Sequence, residues 1–398
     1  MKVIVVGSGA GGATVAKELA KSGIDVTIFE KGPFIKMKKS YEYYKVLNTG
    51  IEISQTVCIG GTTAVTMGNA VRTCEKYFKN MGINIEEEFR EIEDELNVKT
   101  LPDSHFGEGT IKLINAAKSL GFEMKKMPKF INPKNCKPCG KCSFGCPKDA
   151  KWTTVEFIEE CKTYGATIID NTPITEIIVE DMKVKGVKSY DKIFKADLVV
   201  LSAGAIETPK LLQKAGINAG NNLFVDTFVT VGGILKNIKF NKEVQMNALI
   251  KLENIVITPH FSGLLVEELK DFNARKKDII GLMIKIADDP SGRVNEKVTK
   301  FSTAKDVELL ARGAAIAGAI LIEAGVDPKT LVSTYARGAH PGGTAAIGDV
   351  VNKNLETEIK GLYVADASVF PKAPGAPPVL TIMALAKRLG KYIIKENQ

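Results

Sequence analysis

The sequence predicts an α/β protein: a Rossmann-like dinucleotide-binding domain joined to a second, α+β domain built on an antiparallel sheet. Three observations predict it. The chain opens as an apolar strand, a glycine-rich turn, a helix and a second strand. A second strand–turn–helix passage follows at residues 198–215. Between residues 232 and 300, apolar and polar residues alternate as one covered sheet face demands.

At 398 residues the chain exceeds what one hydrophobic core usually serves, so two domains woven from discontinuous segments are expected. The expected division is 1–75, 150–231 and 335–398 for the dinucleotide unit, 76–149 for a helical, cysteine-rich segment, and 232–334 for a substrate domain. Apolar residues at 44% and charged residues at 25% describe an ordinary globular chain. The net charge of +8 comes from scattered lysines without a basic block, which excludes the usual grip on nucleic acid. An apolar strand follows Met1 directly, and no apolar run reaches the roughly 18–20 residues of a membrane span. The expectation is a soluble, cytoplasmic protein without a transmembrane segment.

In chain order, a strand over 2–6 leads into Gly7-Ser8-Gly9-Ala10-Gly11-Gly12, which fits G-x-G-x-x-G, and a helix is expected over 13–22. Gly7 permits the tight turn, Gly9 lets a pyrophosphate approach the backbone, and Gly12 lets helix and strand pack closely. Glu30, followed by Lys31, ends the next strand, where a carboxylate accepts hydrogen bonds from ribose hydroxyls and disfavours a 2′-phosphate. Gly60, Gly61, Thr62 and Thr63 form a second small-residue segment. Residues 86–120 read as helix. Residues 132–151 carry proline, glycine and cysteine with little periodicity, so something other than an apolar core must order them. Strands are expected at 166–169, 174–179, 184–189 and 198–202, the last followed by Ala203-Gly204-Ala205 and a helix over 208–215. Further strands are expected at 248–252, 254–258 and 282–287. Thr303 can cap a helix through Asp306, Gly325 ends it, and a strand at 361–365 and a helix over 379–395 close the chain.

Cys136, Cys139, Cys142 and Cys146, followed by Pro147, fit C-x2-C-x2-C-x3-C-P, the spacing of bacterial [4Fe–4S] ferredoxins. Soft thiolates select iron–sulfur clusters or zinc, and unliganded thiols are the third reading. The fourth ligand is either Cys146 or a distant thiol.

Further segments carry a family resemblance. Gly60-Gly61-Thr62-Thr63-Ala64-Val65 and Ala203-Gly204-Ala205-Ile206-Glu207-Thr208-Pro209-Lys210-Leu211-Leu212 are similar to two flavin signatures of the glucose-methanol-choline (GMC) oxidoreductases. Asp289-Pro290-Ser291-Gly292-Arg293-Val294 resembles a substrate-domain strand of that family. His340-Pro341-Gly342-Gly343-Thr344 and Gly361-Leu362-Tyr363-Val364-Ala365-Asp366-Ala367-Ser368 resemble its catalytic-histidine and C-terminal flavin motifs. The likeness runs nearly end to end and is strongest to the long-chain alcohol oxidase branch. Family members are usually longer, so a compact version with a trimmed substrate domain is expected. The resemblance implies FAD, held by Gly7, Gly9, Ala10, Gly11, Gly12, Glu30, Lys31, Gly60, Gly61, Thr62, Thr63, Ala203, Gly204, Asp366, Ala367, Pro378 and Val379. Asp366, at a strand end, is expected to accept from the ribityl hydroxyls. The last helix would turn its positive end to the flavin pyrimidine, worth about 0.3–1 kcal/mol.

The resemblance also assigns the catalytic base to His340 among the three histidines, since neutral imidazole suits removal of a hydroxyl proton as hydride passes to flavin N5. His105 and His260 lack such context. The family's second histidine or asparagine falls at Pro377, which offers neither group. Either His340 acts alone, Arg337 or Asn69 assists, or the reaction is not ordinary alcohol oxidation. The expected function is an FAD-dependent dehydrogenase of a hydroxyl-bearing organic substrate, with electrons relayed through a [4Fe–4S] cluster to a protein acceptor or partner subunit. The alternatives are an electron-transfer subunit of a larger complex and a flavin-dependent C=C reductase.

Overall fold

The strand Lys2–Val6 lies at the centre of a five-stranded sheet, in a computed structural model that describes residues 1–397. The order across the sheet is Leu362–Val364, Leu198–Leu201, Lys2–Val6, Asp25–Phe29 and Thr167–Ile169, and every pairing is parallel. Valine and isoleucine fill the inner strands because parallel strands flanked by helices bury both faces. The first helix, Ala10–Lys21, packs against the last, Val379–Glu396, and both join the core around this sheet.

The first helix begins three residues before its expected start, because Gly9 caps it in an extended conformation and draws Ala10, Gly11 and Gly12 into its first turn. The helix expected from residue 208 spans Gly204–Lys214. Pro209 lies inside it and has no N–H for the Ala205 carbonyl four residues back; Thr344 Oγ1 donates to that carbonyl instead, at 2.8 Å. The single helix expected over 86–120 is two, Glu86–Glu95 and Glu108–Ser119. Asn97 takes a left-handed φ of 49° and Pro102 follows, while Leu101 and Phe106 between the helices bury in the second core.

The second sheet runs Tyr44–Asn48, Glu52–Thr56, Arg337–Gly338, Thr227–Ile234, Ile279–Ile286, Ile255–Pro259, Ala248–Leu252 and Lys125–Lys126, with Val332–Ser333 also against Thr227–Ile234. It is antiparallel except where Arg337–Gly338 lies parallel to Glu52–Thr56. The fold class expected from the sequence, a parallel dinucleotide-binding sheet beside an antiparallel-sheet domain, is the one observed. Two strands from 1–75 and one from 76–149 also pair into the second sheet, through hydrogen bonds that carry no signal in local periodicity.

Helix Ala304–Glu323 covers one face of this sheet, started by the expected capping box in which Thr303 and Asp306 exchange hydrogen bonds. Along Ile279–Ile286, residues Ile280, Leu282, Ile284 and Ile286 join the core that includes Ala317, Ile320 and Leu321 of that helix. The alternate residues Met283 and Lys285 point to the opposite face and are buried there as well. No helix among the described residues is long and apolar enough to cross a membrane.

Candidate active site

A cavity of about 450 Å³ opens at the carboxyl ends of the parallel strands, where Val6, Phe29, Ser202 and Asp366 reach its wall. Gly7, Gly9, Ala10, Gly11, Glu30, Lys31, Gly61, Thr62, Thr63, Ala203, Gly204, Asp366, Ala367, Pro378 and Val379 all line it. Gly12 and Gly60 stand behind the wall. A Cβ on Gly12 would overlap the Gly7 carbonyl and one on Gly11 the Ala365 carbonyl, whereas one on Gly9 would meet no protein atom within 4 Å. The first two therefore serve packing, and Gly9 leaves space for a ligand. Gly11→Ala is expected to cost about 1–3 kcal/mol in a denaturation measurement. Gly9→Val is expected to keep its stability and lose affinity for FAD at least about tenfold, or ~1.4 kcal/mol, by fluorescence titration. A stability loss at Gly9 as large as that at Gly11 would contradict this assignment.

Glu30 sits at the rim of the first strand pair. Its Oε2 accepts from the Ser8 amide (3.1 Å) and hydroxyl (2.8 Å), and its Oε1 from the Gly32 amide (2.9 Å). Burial pushes its carboxyl up, and these hydrogen bonds pull it back. Asp366, on the cavity wall, is met by protein donors. Its Oδ2 accepts from the Gly204 amide (2.9 Å) and Thr208 Oγ1 (2.6 Å), and its Oδ1 from the Ser368 amide (2.8 Å) and hydroxyl (2.5 Å). These donors fill a carboxylate's acceptor positions. The carboxylate clamps one strand end to the start of helix Gly204–Lys214.

His340 stands where this cavity meets a second one of about 590 Å³, and its ring lines both. Its Nδ1 is 3.0 Å from Oδ2 of Asp226, a fully buried residue held at a left-handed φ of 49°. Asp226 Oδ1 accepts from the Gly375 amide at 2.9 Å, which ties the dyad to the segment before the last helix. The Lys285 ammonium lies 3.4 Å from the Asp226 carbonyl oxygen and 3.5 Å from His340 Nδ1. Burial pushes the Asp226 carboxyl up to about 7 against the pull of Lys285. Burial first, then Lys285, holds the His340 imidazole well below its usual range, so it is neutral near pH 7. A neutral ring donating from Nδ1 to Asp226 presents the Nε2 lone pair as a base.

Sequence reasoning missed Asp226 and Lys285. Lys285 had a legible signal, a lone charge inside the apolar strand GLMIKI; Asp226 lies just before the strand Thr227–Ile234 with no motif around it. Pro377 lines the second cavity and supplies no proton-transfer group there. Asn69 is already engaged: its Oδ1 accepts from Lys129 Nζ at 2.6 Å.

Two family models, each described as GMC oxidoreductase, match residues 1–241 and 283–386. The chain belongs to the GMC oxidoreductase family. Members are FAD-dependent oxidoreductases acting on CH–OH donors, and this chain is one. It is 38% identical to an uncharacterized protein of Methanocaldococcus jannaschii, over 98% of this chain and 99% of that one. It is 24% identical to a long-chain-alcohol oxidase of Arabidopsis thaliana, over 99% of this chain and 67% of that one. Its fold is similar to that of pyridoxine 4-oxidase from Mesorbium loti, with a TM-score of 0.75, 14% identity and 98% of each chain covered. The corresponding figures for formate oxidase from Aspergillus oryzae RIB40 are 0.77, 16%, and 100% and 98%.

In this GMC oxidoreductase the other two histidines lie apart from the FAD cavity, and His260 lines the second cavity. His105 Nε2 lies 3.2 Å from the carbonyls of Pro133 and Cys136, in the loop that leads to the cysteines. His260 is buried, its Nδ1 3.2 Å from Thr230 Oγ1, and burial with Arg337 and Lys285 nearby holds its imidazole down at about 3. Below pH 6.5 the unfolded chain protonates this histidine and the folded one does not. Stability from this group is complete above about pH 6.5 and declines toward pH 3, by up to ~1.4 kcal/mol per pH unit. A His260→Gln variant is expected to show a shallower fall of Tm over that window than the parent; parallel curves would contradict the assignment.

Cys136, Cys139, Cys142 and Cys146 line one small cavity with Ile131, Ala150 and Val244. Among the described residues no group of three or more His, Cys, Asp or Glu side chains converges as a single metal ion requires. Burial pushes the Cys136 thiol up to about 12, with its neighbours' sulfurs adding to the effect, and the Ala150 amide donates to Cys146 Sγ at 3.3 Å.

Proposed function

We propose that this protein is an FAD-dependent dehydrogenase that oxidises a hydroxyl group of an organic substrate in the second cavity, with His340 as base. The observation that carries this reading is the position of His340, hydrogen-bonded to buried Asp226 and facing both cavities. Gly7, Gly9, Ala10 and Gly11 would hold the FAD pyrophosphate at the start of the first helix. Glu30 would accept from the ribose hydroxyls, while Ala203, Gly204, Ala367 and the start of the last helix would border the flavin. Bound FAD supplies the two-electron acceptor for the hydride that leaves the carbinol carbon. Asp226 fixes the His340 tautomer, and Nε2 takes the hydroxyl proton as the C–H bond breaks. The Asp226–His340 dyad does the positioning for which the family's second histidine or asparagine was sought at Pro377.

We propose further that Cys136, Cys139, Cys142 and Cys146, by their ferredoxin spacing, hold a [4Fe–4S] cluster, which would supply one-electron transfer to a protein acceptor. The support is electrostatic. Lys129 and Lys151 are buried near the cysteines, and neither has a carboxylate partner among the described residues. Lys129 Nζ donates to the Met67 and Gln245 carbonyls and to Asn69 (3.1, 2.9 and 2.6 Å). Lys151 Nζ donates to the Thr63, Ala64 and Thr66 carbonyls (3.1, 2.9 and 2.9 Å). Burial drives the two ammonium groups down to about 7 and about 8, and the cysteine sulfurs are what oppose that drop. Buried cations without carboxylates call for another anion, and a tetrathiolate cluster is one. Lys151 also grips the Thr63–Thr66 turn that borders the FAD cavity, linking the two sites.

The test is to load the protein with FAD, exclude oxygen, and mix it with primary and secondary alcohols in a rapid spectrometer. Bleaching of the flavin band with release of the aldehyde or ketone is expected. A flavin that stays oxidised across the panel, yet is bleached by a protein electron donor, would favour the electron-transfer subunit.

A further inference from the structure

We propose that the second cavity selects an anionic alcohol, a hydroxy acid whose carboxylate is held by Arg337; this deepens, and rests on, the reading of the cavity as the place where a carbinol meets His340. The walls of the cavity include Lys141, Lys242, Lys276, Lys285 and Arg337, and no aspartate or glutamate. Lys141, Lys242 and Lys276 are exposed, at its outer part, whereas Lys285 is buried. Its charge is matched by Asp226 and Asp288. Arg337 is the cation left over. Its Nε is buried and has no hydrogen-bond partner, and no carboxylate lies within 4.0 Å of the guanidinium among the described residues. Glu52, its register partner on the neighbouring strand, accepts from Tyr335 Oη at 3.1 Å instead.

The guanidinium is set over Phe228, 5.1 Å from the ring centroid, and beside Tyr335 at 5.7 Å. It sits on a strand paired on both sides, which fixes its backbone. A planar fork with free donors, stacked on an aromatic ring and desolvated on one edge, is built for a carboxylate rather than for water. Arg337 precedes His340 by three residues, so their Cα atoms are at most about 11 Å apart. A carboxylate on Arg337 and a carbinol at His340 can therefore belong to one molecule. The outer lysines add a field that draws an anion inward.

The experiment compares a series of ω-hydroxy acids with the matching diols, using FAD-loaded protein and anaerobic flavin bleaching, at low and high salt. Hydroxy acids are expected to have at least tenfold higher kcat/KM than diols of equal length, with an advantage that shrinks as salt rises. In Arg337→Gln the acid-to-diol ratio is expected to fall toward one through KM for the acid, and Arg337→Lys to restore part of it. Equal or better turnover of diols in the parent protein, or an unchanged ratio in Arg337→Gln, would overturn the proposal. A second readout keeps it separate from catalysis: binding of the unreactive fatty acids of the same lengths, by perturbation of the oxidised flavin spectrum. Acid binding that Arg337→Gln abolishes, with no alcohol of either kind bleaching the flavin, would uphold the anion site and sink the proposed oxidation. Alcohols that bleach the flavin while the acids fail to bind would do the reverse.

Discussion

Replacing His340 by asparagine is expected to slow flavin reduction by alcohol about 10²- to 10⁴-fold while the protein still carries FAD. Asparagine keeps a polar group at the junction of the two cavities and removes only the titratable lone pair. Because His340 lines the cavity without supplying a pyrophosphate or ribose contact, FAD content is the control that separates lost chemistry from lost cofactor. Asp226→Asn is expected to act through the same ring. An amide can no longer carry the charge that holds Nδ1–H toward it, so the Nε2 lone pair is presented in only part of the population.

The pH profile distinguishes this positioning role from a merely structural one. Burial pushes the Asp226 carboxyl up to about 7, and its ionised form is the one that fixes the tautomer, so the reduction rate should rise with pH through neutrality. That limb reflects Asp226 together with the neighbouring Lys285 and should vanish in Asp226→Asn. Anaerobic rapid mixing across pH 5 to 9 checks both expectations. A His340→Asn rate within tenfold of the parent would remove His340 from the proton transfer, and a limb that survives in Asp226→Asn would remove Asp226 from its support.

How much of this was legible in the sequence follows from the range of each interaction. The Gly7–Gly12 turn, Glu30 and the Thr303–Asp306 cap are local, set by neighbours within one turn or strand, and their positions were readable at once. The continuation of helix Gly204–Lys214 through Pro209 was less legible, because Thr344 satisfies the freed Ala205 carbonyl across more than a hundred residues of chain. Most of the residues expected to hold FAD, though not Gly12 or Gly60, line one cavity because their motifs lie at strand ends and helix starts. Asp226 and Lys285 were not legible as His340 partners because they arrive from separate strands of the antiparallel sheet, and only the register of Phe228 with Lys285 brings them together. The protein partners of Asp366 were likewise not legible. Four donors meet its carboxylate, two from the start of helix Gly204–Lys214 and two from Ser368, and the first pair arrives from across the sheet.

The cysteine site yields the other large effect. Protein expressed and purified without oxygen is expected to hold about four irons and four acid-labile sulfides per FAD, and no stoichiometric zinc. Replacing Cys136, Cys139 or Cys142 by serine should remove most of that iron while the flavin remains, because the cysteine cavity and the FAD cavity share no wall residue. Cys146→Ser decides the fourth ligand: retained iron would hand that role to a distant thiol. The lysines supply an independent check. Lys129 and Lys151 are buried, where positive charge would stabilise the more negative, reduced state of a neighbouring cluster. Lys129→Met and Lys151→Met are therefore each expected to lower the cluster potential in a spectroelectrochemical titration, and an exposed lysine such as Lys162 to have almost no effect when changed. Iron-free protein after reconstitution under reducing conditions would leave both buried ammonium groups without an anion and would end the cluster reading. The enzyme would then be a flavin-only member of its family, and Lys151 would act as a clamp on the Thr63–Thr66 turn, losing FAD when replaced.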